Sequence, residues 1–472
     1  MFELQIANLY TRVNKKRITK EEADALSTLL SVRVPGYFFS KAYKMGRWDG
    51  FTRFYNRGTG QFYTGLLGYV KSHLTDAEFE EIDVRQKVSS CSNILFLKGI
   101  TPRPYQEQMI AAAVEKERGI ICAPPNAGKT EVAAGIIQVL GHPANFFTHR
   151  LTLLHQTKER FEDRLGIKVG IVGRGEVQLE DVNILSVASV AKKLEDPLIK
   201  DILKNFPVVF SDECHHISAL TWAKCLKESG AYYRYGLSAT PLLRDDISNM
   251  TVRGLLGEEI ASVTNEELMD LGISATPSVY LFEINFPTFP RHYPYDKVYE
   301  ESIVFGEKRN GLIVSSAKRF VDQHKSVFII VFRIQHGQFL TEMLQKAGVE
   351  AEFISGEGST PERNHQVLKM FAEKKIHCVV STSISDEGLD IPAMDVLIIG
   401  VGDKSALKAV QRVGRGLRKK KQGENIVTVI DFVDVNNSHL QKHSQSRLTV
   451  YVNLGMKIYE VRNHNWDNVV KV

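Results

Sequence analysis

A chain of 472 residues, 43% apolar, 24% charged and 9% aromatic, excludes a disordered, collagen-like or disulfide-stapled protein. At roughly 150 residues per domain, its length admits about three domains. Net charge is +5, but residues 1–75 carry 12 Lys and Arg against 5 Asp and Glu, so the first sixth of the chain holds +7 and the rest −2. That bias is a candidate polyanion footprint. Apolar runs such as Val327–Phe332 fall far short of the roughly 20 residues that cross a bilayer. Met1–Tyr10 lacks the basic and apolar blocks of a secretory signal, so no membrane association is expected. Five scattered cysteines without metal-ligand spacing fit reduced thiols in a cytoplasm.

Residues 1–90 alternate without long helices, except over Thr19–Leu30, where Thr19 and Glu22 predict a capping box. Ten of the 27 residues from Tyr37 to Tyr63 are aromatic. A small accessory α+β domain is expected. Its Lys44, Arg47, Arg53 and Arg57 resist burial and are its candidate nucleic-acid contacts. After residue 100, short apolar runs at Gly119–Cys122, Asn145–Thr148, Ile167–Val172, Val182–Val187 and Pro207–Ser211 alternate with helix-forming stretches. That alternation predicts βαβ units around a parallel sheet. The pattern loosens around Pro277–Pro290, read as a Pro-rich connection. It resumes at Ser326–Phe332, Glu350–Ile354, Ile376–Ser381, Met394–Val401 and Ile426–Phe432. The expected division is 1–90 accessory, 91–275 first α/β lobe, 276–455 second lobe and 456–472 tail.

Ile120–Cys122 is a strand running into Ala123-Pro-Pro-Asn126-Ala127-Gly128-Lys129-Thr130 and then a helix. Asn126, Ala127 and Gly128 allow the backbone to approach phosphate oxygens, Lys129 reaches the outer phosphates, and Thr130 can ligate Mg²⁺. Ala123 stands where the usual phosphate loop has its first Gly. Val208–Phe210 is a second apolar strand, ending in Ser211-Asp212-Glu213-Cys214-His215. Carboxylates at the C-terminal tip of a parallel strand face the ligand crevice. Asp212 can hold Mg²⁺ and Glu213 can polarise a water. ATP and Mg²⁺ are the cofactors these two elements imply.

With these motifs the chain resembles superfamily 2 helicases and translocases, which implies two RecA-like lobes. The remaining motifs follow in that family's order. Arg103 and Gln106 resemble the adenine-recognition segment, and Ser238-Ala239-Thr240 the coupling motif. Gly388 and Asp390 resemble the segment contacting ribose and the nucleic-acid strand. Gln411-Arg-Val-Gly-Arg415-Gly-Leu-Arg418 matches the family's Gln-x-x-Gly-Arg-x-x-Arg, which implies catalytic roles for Gln411, Arg415 and Arg418, with the two arginines delivered to the γ-phosphate. Gln156 and Thr382 resemble strand-contacting positions. At Ser186-Val-Ala188 the family has Thr-x-Gln, so only Ser186 retains a hydroxyl for a phosphate.

Cys214 in the acidic box and Arg234-Tyr-Gly-Leu-Ser-Ala-Thr-Pro241 resemble DNA-directed members. Gly46-Arg-Trp-Asp-Gly50 and Ser446-Arg447-x₃-Tyr451-x₃-Gly455 are similar to phage UvsW-type branch-migration helicases. The resemblance implies an ATP-dependent enzyme remodelling forked or branched DNA in the host cytoplasm. Two alternatives stand beside it: a restriction-type duplex translocase that does not separate strands, and a non-catalytic DNA-binding scaffold.

Overall fold

The computed structural model describes residues 2–88, 94–149, 154–218, 220–239, 247–285, 289, 293–356, 360–382, 394–402, 425–435, 437–453 and 456–472. The chain divides into two compact units, Met1–Val263 and Thr264–Val472.

Unit one opens with β1 (Phe2–Ile6), β2 (Tyr10–Val13), β3 (Ser31–Arg33), β4 (Phe51–Arg53), β5 (Tyr55–Asn56), β6 (Gln61–Tyr63) and β7 (Phe79–Asp83). Five of them form a sheet in the order β5-β6-β2-β1-β7, and β3 pairs with β4. Helix Lys20–Leu29 starts at the expected capping box: Glu22 N donates to Thr19 Oγ1 at 3.2 Å, and Thr19 N donates to Glu22 Oε2 at 2.8 Å. Phe2, Leu4, Val13, Leu26, Tyr55 and Phe62 form the core of this α+β region, and Met250 from far along the chain joins it. Gly65 explains the close approach, because a Cβ there would lie 2.1 Å from Arg253 O and 2.6 Å from Gly254 O. Asn8 strengthens the junction, donating to Gly230 O at 2.8 Å and accepting from Arg118 Nη2 at 2.7 Å.

The second sheet of this unit contains β8 (Arg118–Cys122), β9 (Ala144–Thr148), β10 (Gly170–Gly173), β11 (Glu176–Gln178), β12 (Val182–Ser186), β13 (Val208–Asp212), β14 (Tyr233–Ser238) and β15 (Glu259–Ser262). Their order is β11-β10-β12-β9-β13-β14-β8-β15, parallel except for the β10–β11 edge. Its inner strands β10, β12, β9, β13 and β14 are buried nearly throughout, as parallel strands covered on both faces must be, whereas the edge strands β11 and β15 are exposed or half-buried.

Unit two repeats the plan with β16 (Thr276–Asn285), β17 (Val327–Val331), β18 (Ala351–Ile354), β19 (Cys378–Thr382), β20 (Val396–Ile399), β21 (Ile426–Val435), β22 (Lys457–Val461) and β23 (Val469–Lys471). The order is β18-β19-β17-β20-β21-β16-β22-β23, parallel apart from the last pair. Two expectations are corrected here. The supposed Pro-rich connection contains a ten-residue internal strand, β16. Pro277 lies at its start, Pro287 and Pro290 lie beyond its end, and the run between them is mostly buried. Residues 456–472 are no tail, since β22 extends the parallel sheet beside β16 and β23 closes its edge.

Helix Ser438–Asn453 lies over β21 through a buried ionic network. Arg447 Nε donates to Asp431 Oδ2 at 2.8 Å, Tyr451 Oη donates to the same oxygen at 2.7 Å, and Arg309 Nη1 donates to Asp434 Oδ1 at 2.6 Å. Two arginines and two aspartates balance in charge, as buried ions must. Beside them, His336 Nε2 lies 2.9 Å from Asn310 Oδ1. Asn310 gives its amide hydrogen to Val304 O, so its oxygen accepts and His336 carries the proton on Nε2. Among the described residues no helix is long and apolar enough to cross a membrane, and Cys122, Cys214, Cys225 and Cys378 are not joined in disulfides.

Candidate functional site

In unit one, β13, β14 and β8 are neighbours. Their register sets Asp212 opposite Leu237 and Ser238 opposite Cys122, so three C-terminal tips end level. Motifs some 85–115 residues apart in sequence therefore share one crevice, where open parallel sheets place their ligands.

After β8, Pro125–Ala127 forms one 3₁₀ turn. Gly128, at φ 78°, then caps helix Lys129–Leu140. The left-handed cap turns the chain so that the free N–H groups of a twelve-residue helix open at the loop, a ready anion site. The start of helix Pro104–Lys116 is stitched to that loop. Gln106 Nε2 and Tyr105 Oη each donate to Ala127 O at 2.9 Å, and Arg103 N donates to Gln106 Oε1 at 2.9 Å. A Cβ at Gly128 would lie 2.4 Å from Gln106 Nε2. Asn126 Nδ2 is buried without a hydrogen-bond partner among the described residues, a donor left for a ligand.

Lys129 is 9% exposed. Its ammonium donates to Ala123 O at 3.2 Å and faces Glu213 Oε1 at 3.6 Å. A nearly buried cation needs such partners. Glu213 holds a left-handed backbone at φ 48°, a conformation that costs a non-glycine residue stability and concentrates at functional sites. Its other oxygen lies 3.4 Å from His215 Nδ1, which lies 2.9 Å from Ser238 Oγ. A polar chain thus runs from the loop lysine through the acidic box to the Ser-Ala-Thr segment. Trp222 Nε1 donates to Ser211 Oγ at 3.0 Å and steadies the end of β13. Burial, with Glu213 and Asp212 beside it, pushes the Cys214 thiol well above its ordinary range, so Cys214 packs and does not react. Asp212 and Thr130 are partly exposed, and the described residues hold no cluster of three or more metal-ligating side chains. One carboxylate and one hydroxyl fit Mg²⁺ arriving with a nucleotide, because that ion keeps waters and phosphates as its other ligands.

The remaining expected contacts are scattered. Gln156 is exposed on helix Leu154–Leu165. Ser186 is 1% exposed at the end of β12, and its hydroxyl is buried without a hydrogen-bond partner among the described residues. Thr382 ends β19 in unit two, also buried. Lys44, Arg47, Arg53 and Arg57 are all exposed, but Arg53 pairs with Asp49, and Arg57 with Asp24 at 2.6 Å. Thr240, Gly388, Asp390, Gln411, Arg415 and Arg418 lie outside the described residues. His215 and Tyr105 had no role in the sequence reading; His215 was visible as the last letter of the acidic box, whereas nothing marked Tyr105.

Two family models match the chain. One is the Type III restriction enzyme, res subunit, over residues 99–243, and the other the helicase conserved C-terminal domain over 312–420. With these two domains the chain resembles the superfamily 2 helicases. Of helicases in this superfamily it resembles the ATP-dependent DNA helicase uvsW of Enterobacteria phage T4, 24% identical over 477 residues and 93% of each chain. It is also 25% identical to the DNA 3'-5' translocase XPB2 of Sulfurisphaera tokodaii, over 74% of this chain and 86% of that protein. In fold it is similar to the Hef helicase domain of Pyrococcus furiosus, with a TM-score of 0.53 and 16% identity over 73% of this chain and 98% of that one. The two parallel-sheet units resemble tandem RecA-like helicase lobes in fold.

Proposed function

We propose that this helicase hydrolyses ATP with Mg²⁺ and uses the energy to remodel branched or forked DNA. The observation that carries the reading is the level crevice in which Lys129 faces Glu213 below the open N-terminus of helix Lys129–Leu140. The loop backbone at 126–130, Asn126 and Lys129 hold phosphates, while Arg103 and Gln106 border the base. Thr130 and Asp212 hold the ion, and Glu213 orients the attacking water. Bound Mg²⁺ supplies charge neutralisation on the phosphates. Arg415 and Arg418, with Gln411, would add the cationic charge that phosphoryl transfer demands. The His215 link to Ser238 offers a route by which phosphate occupancy reaches the Ser-Ala-Thr segment. DNA as the partner is supported by the names of the phage and archaeal relatives and by the basic N-terminal region.

A second reading, translocation along duplex without strand separation, is favoured by the restriction-enzyme model over residues 99–243. One panel tests both: ATPase stimulation by single strand, duplex, fork, four-way junction and RNA duplex, with strand release measured alongside. Stimulation greatest on forks and junctions, with strands released or exchanged, supports remodelling. Equal stimulation by plain duplex without released strands supports translocation. No stimulation by any DNA overturns both.

A further inference from the structure

Between β3 and β4 the chain makes a seventeen-residue excursion, 34–50, whose aromatic residues divide into two sets. The inner set builds a base. Arg33 Cζ lies 4.4 Å above the Tyr37 ring and 5.2 Å above Phe51. Tyr37 meets Tyr43 edge-on at 4.6 Å, and Trp48 Nε1 donates to Phe51 O at 2.8 Å. Gly50, at φ 85°, brings its backbone so near the Tyr37 ring that a Cβ would lie 2.8 Å from it. The outer set rests on this base but stays open to solvent: Phe38 meets Tyr37 edge-on at 5.6 Å yet is 51% exposed, Phe39 is 75% exposed and Met45 53%. The two phenyl rings lie against each other at 4.3 Å with 45° between planes, leaving further ring faces to solvent. Contiguous exposed apolar surface on a fixed base marks an interaction site.

The charge around it selects the partner. Lys41, Lys44 and Arg47 are exposed, and none has an ion pair among the described residues. The only acid of the excursion, Asp49, is held by Arg53. Exposed aromatic faces on a segment that also carries three exposed cations match a polyanion that also offers flat rings, which paired DNA hides and unpaired nucleotides present. We propose that Phe38 and Phe39 form a stacking platform for unpaired nucleotides at a DNA branch, with Lys41, Lys44 and Arg47 holding the adjoining phosphates. This rests on the reading of the chain as a DNA-remodelling helicase and moves the branch contact away from Arg53 and Arg57, whose charges are already matched.

The test uses the full chain without nucleotide. The probes are a forked DNA carrying 2-aminopurine at its first unpaired positions and a blunt duplex of equal length. Wild type is expected to prefer the fork and change the 2-aminopurine fluorescence. Phe38→Leu with Phe39→Leu keeps apolar area but removes the π faces; it should weaken fork binding about tenfold or more and abolish the fluorescence change. Phe38→Trp with Phe39→Trp should restore both. Lys41→Gln, Lys44→Gln and Arg47→Gln together should weaken fork and duplex alike, and reduce the slope of log affinity on log salt by about 2. A leucine variant that keeps wild-type fork preference and fluorescence overturns the platform while leaving the helicase reading intact. A wild type that binds neither DNA overturns the helicase reading itself. Capture of wild type by phosphatidylserine vesicles, lost in the leucine variant, assigns the pair to a lipid surface and overturns the platform.

Discussion

Lys129 and Glu213 face each other across 3.6 Å, yet on the proposed function they serve different steps and should fail differently. Lys129→Ala removes the cation proposed to meet the phosphates and should weaken nucleotide binding together with turnover. Glu213→Gln keeps the shape of the side chain but not its basicity, so binding should survive while hydrolysis falls on the order of 10²-fold or more. Fluorescent-nucleotide titration beside an ATPase assay separates the two; substantial turnover in folded Glu213→Gln removes that residue from the water. A second residue-scale prediction concerns His336. Burial, with the Arg309 guanidinium beside it, holds this imidazole down to about 3, whereas an unfolded histidine titrates near 6.5. The unfolded chain therefore binds a proton that the folded unit refuses, so stability is full above about pH 6.5 and lost as pH falls toward 3. Urea unfolding at pH 7.5 and 5.5 should differ by about 1.4 kcal/mol more in wild type than in His336→Gln.

At the scale of elements, the N-terminal α+β region shares its core with helix Ile247–Leu256 through Met250. A chain begun near Ser92 would expose that methionine and the backbone that Gly65 touches, so truncation tests stability before it tests DNA preference. Gly65→Ala probes the same junction with one atom. Its Cβ meets only backbone within 2.8 Å, and overpacking of this kind costs about 1–3 kcal/mol. Lower thermal stability and faster proteolysis between the N-terminal region and the first RecA-like sheet are expected. The network over β21 gives a parallel case: Arg447→Met strands Asp431 and Asp434 with one guanidinium between them and should cost about 3–5 kcal/mol, read as a denaturant midpoint.

Legibility in the sequence followed how locally each feature is encoded. The turn before helix Lys129–Leu140 and the strand running into the acidic box were readable because each is a short contiguous segment, and the capping box because Thr19 and Glu22 stand three apart. Arg447 and Tyr451 were visible as a motif, but not their meeting at Asp431, which depends on one helical turn placing both over a strand. β16 was missed because prolines at its margins masked the apolar run between them. The burial of Ser186 was not legible because a hydroxyl at a strand end reads alike whether it faces solvent or packing.

For the whole molecule, strand order dictates an order of assembly. The last strand of the first parallel sheet, β15, ends at Ser262 and pairs with β8, so the first unit has all its strands once residue 263 is made. The second cannot do likewise. β16 begins it, yet Thr276 pairs with Ile426 and Ser278 with Lys457, partners 150 and 179 residues downstream. At about 5–20 residues per second, the ribosome takes on the order of 10–30 s to deliver β21, and until then an apolar strand waits with both edges bare. A nascent chain arrested at residue 300 should already protect the first unit from protease, whereas one arrested at 440 should leave the second labile. Removing residues 457–472 should leave β16 as an open edge and drive the released protein toward association. Residues 457–472, which include none of the candidate site residues, thus act as the release condition for the second unit, and a nonsense mutation ahead of them should deplete the protein more severely than many substitutions in its crevice.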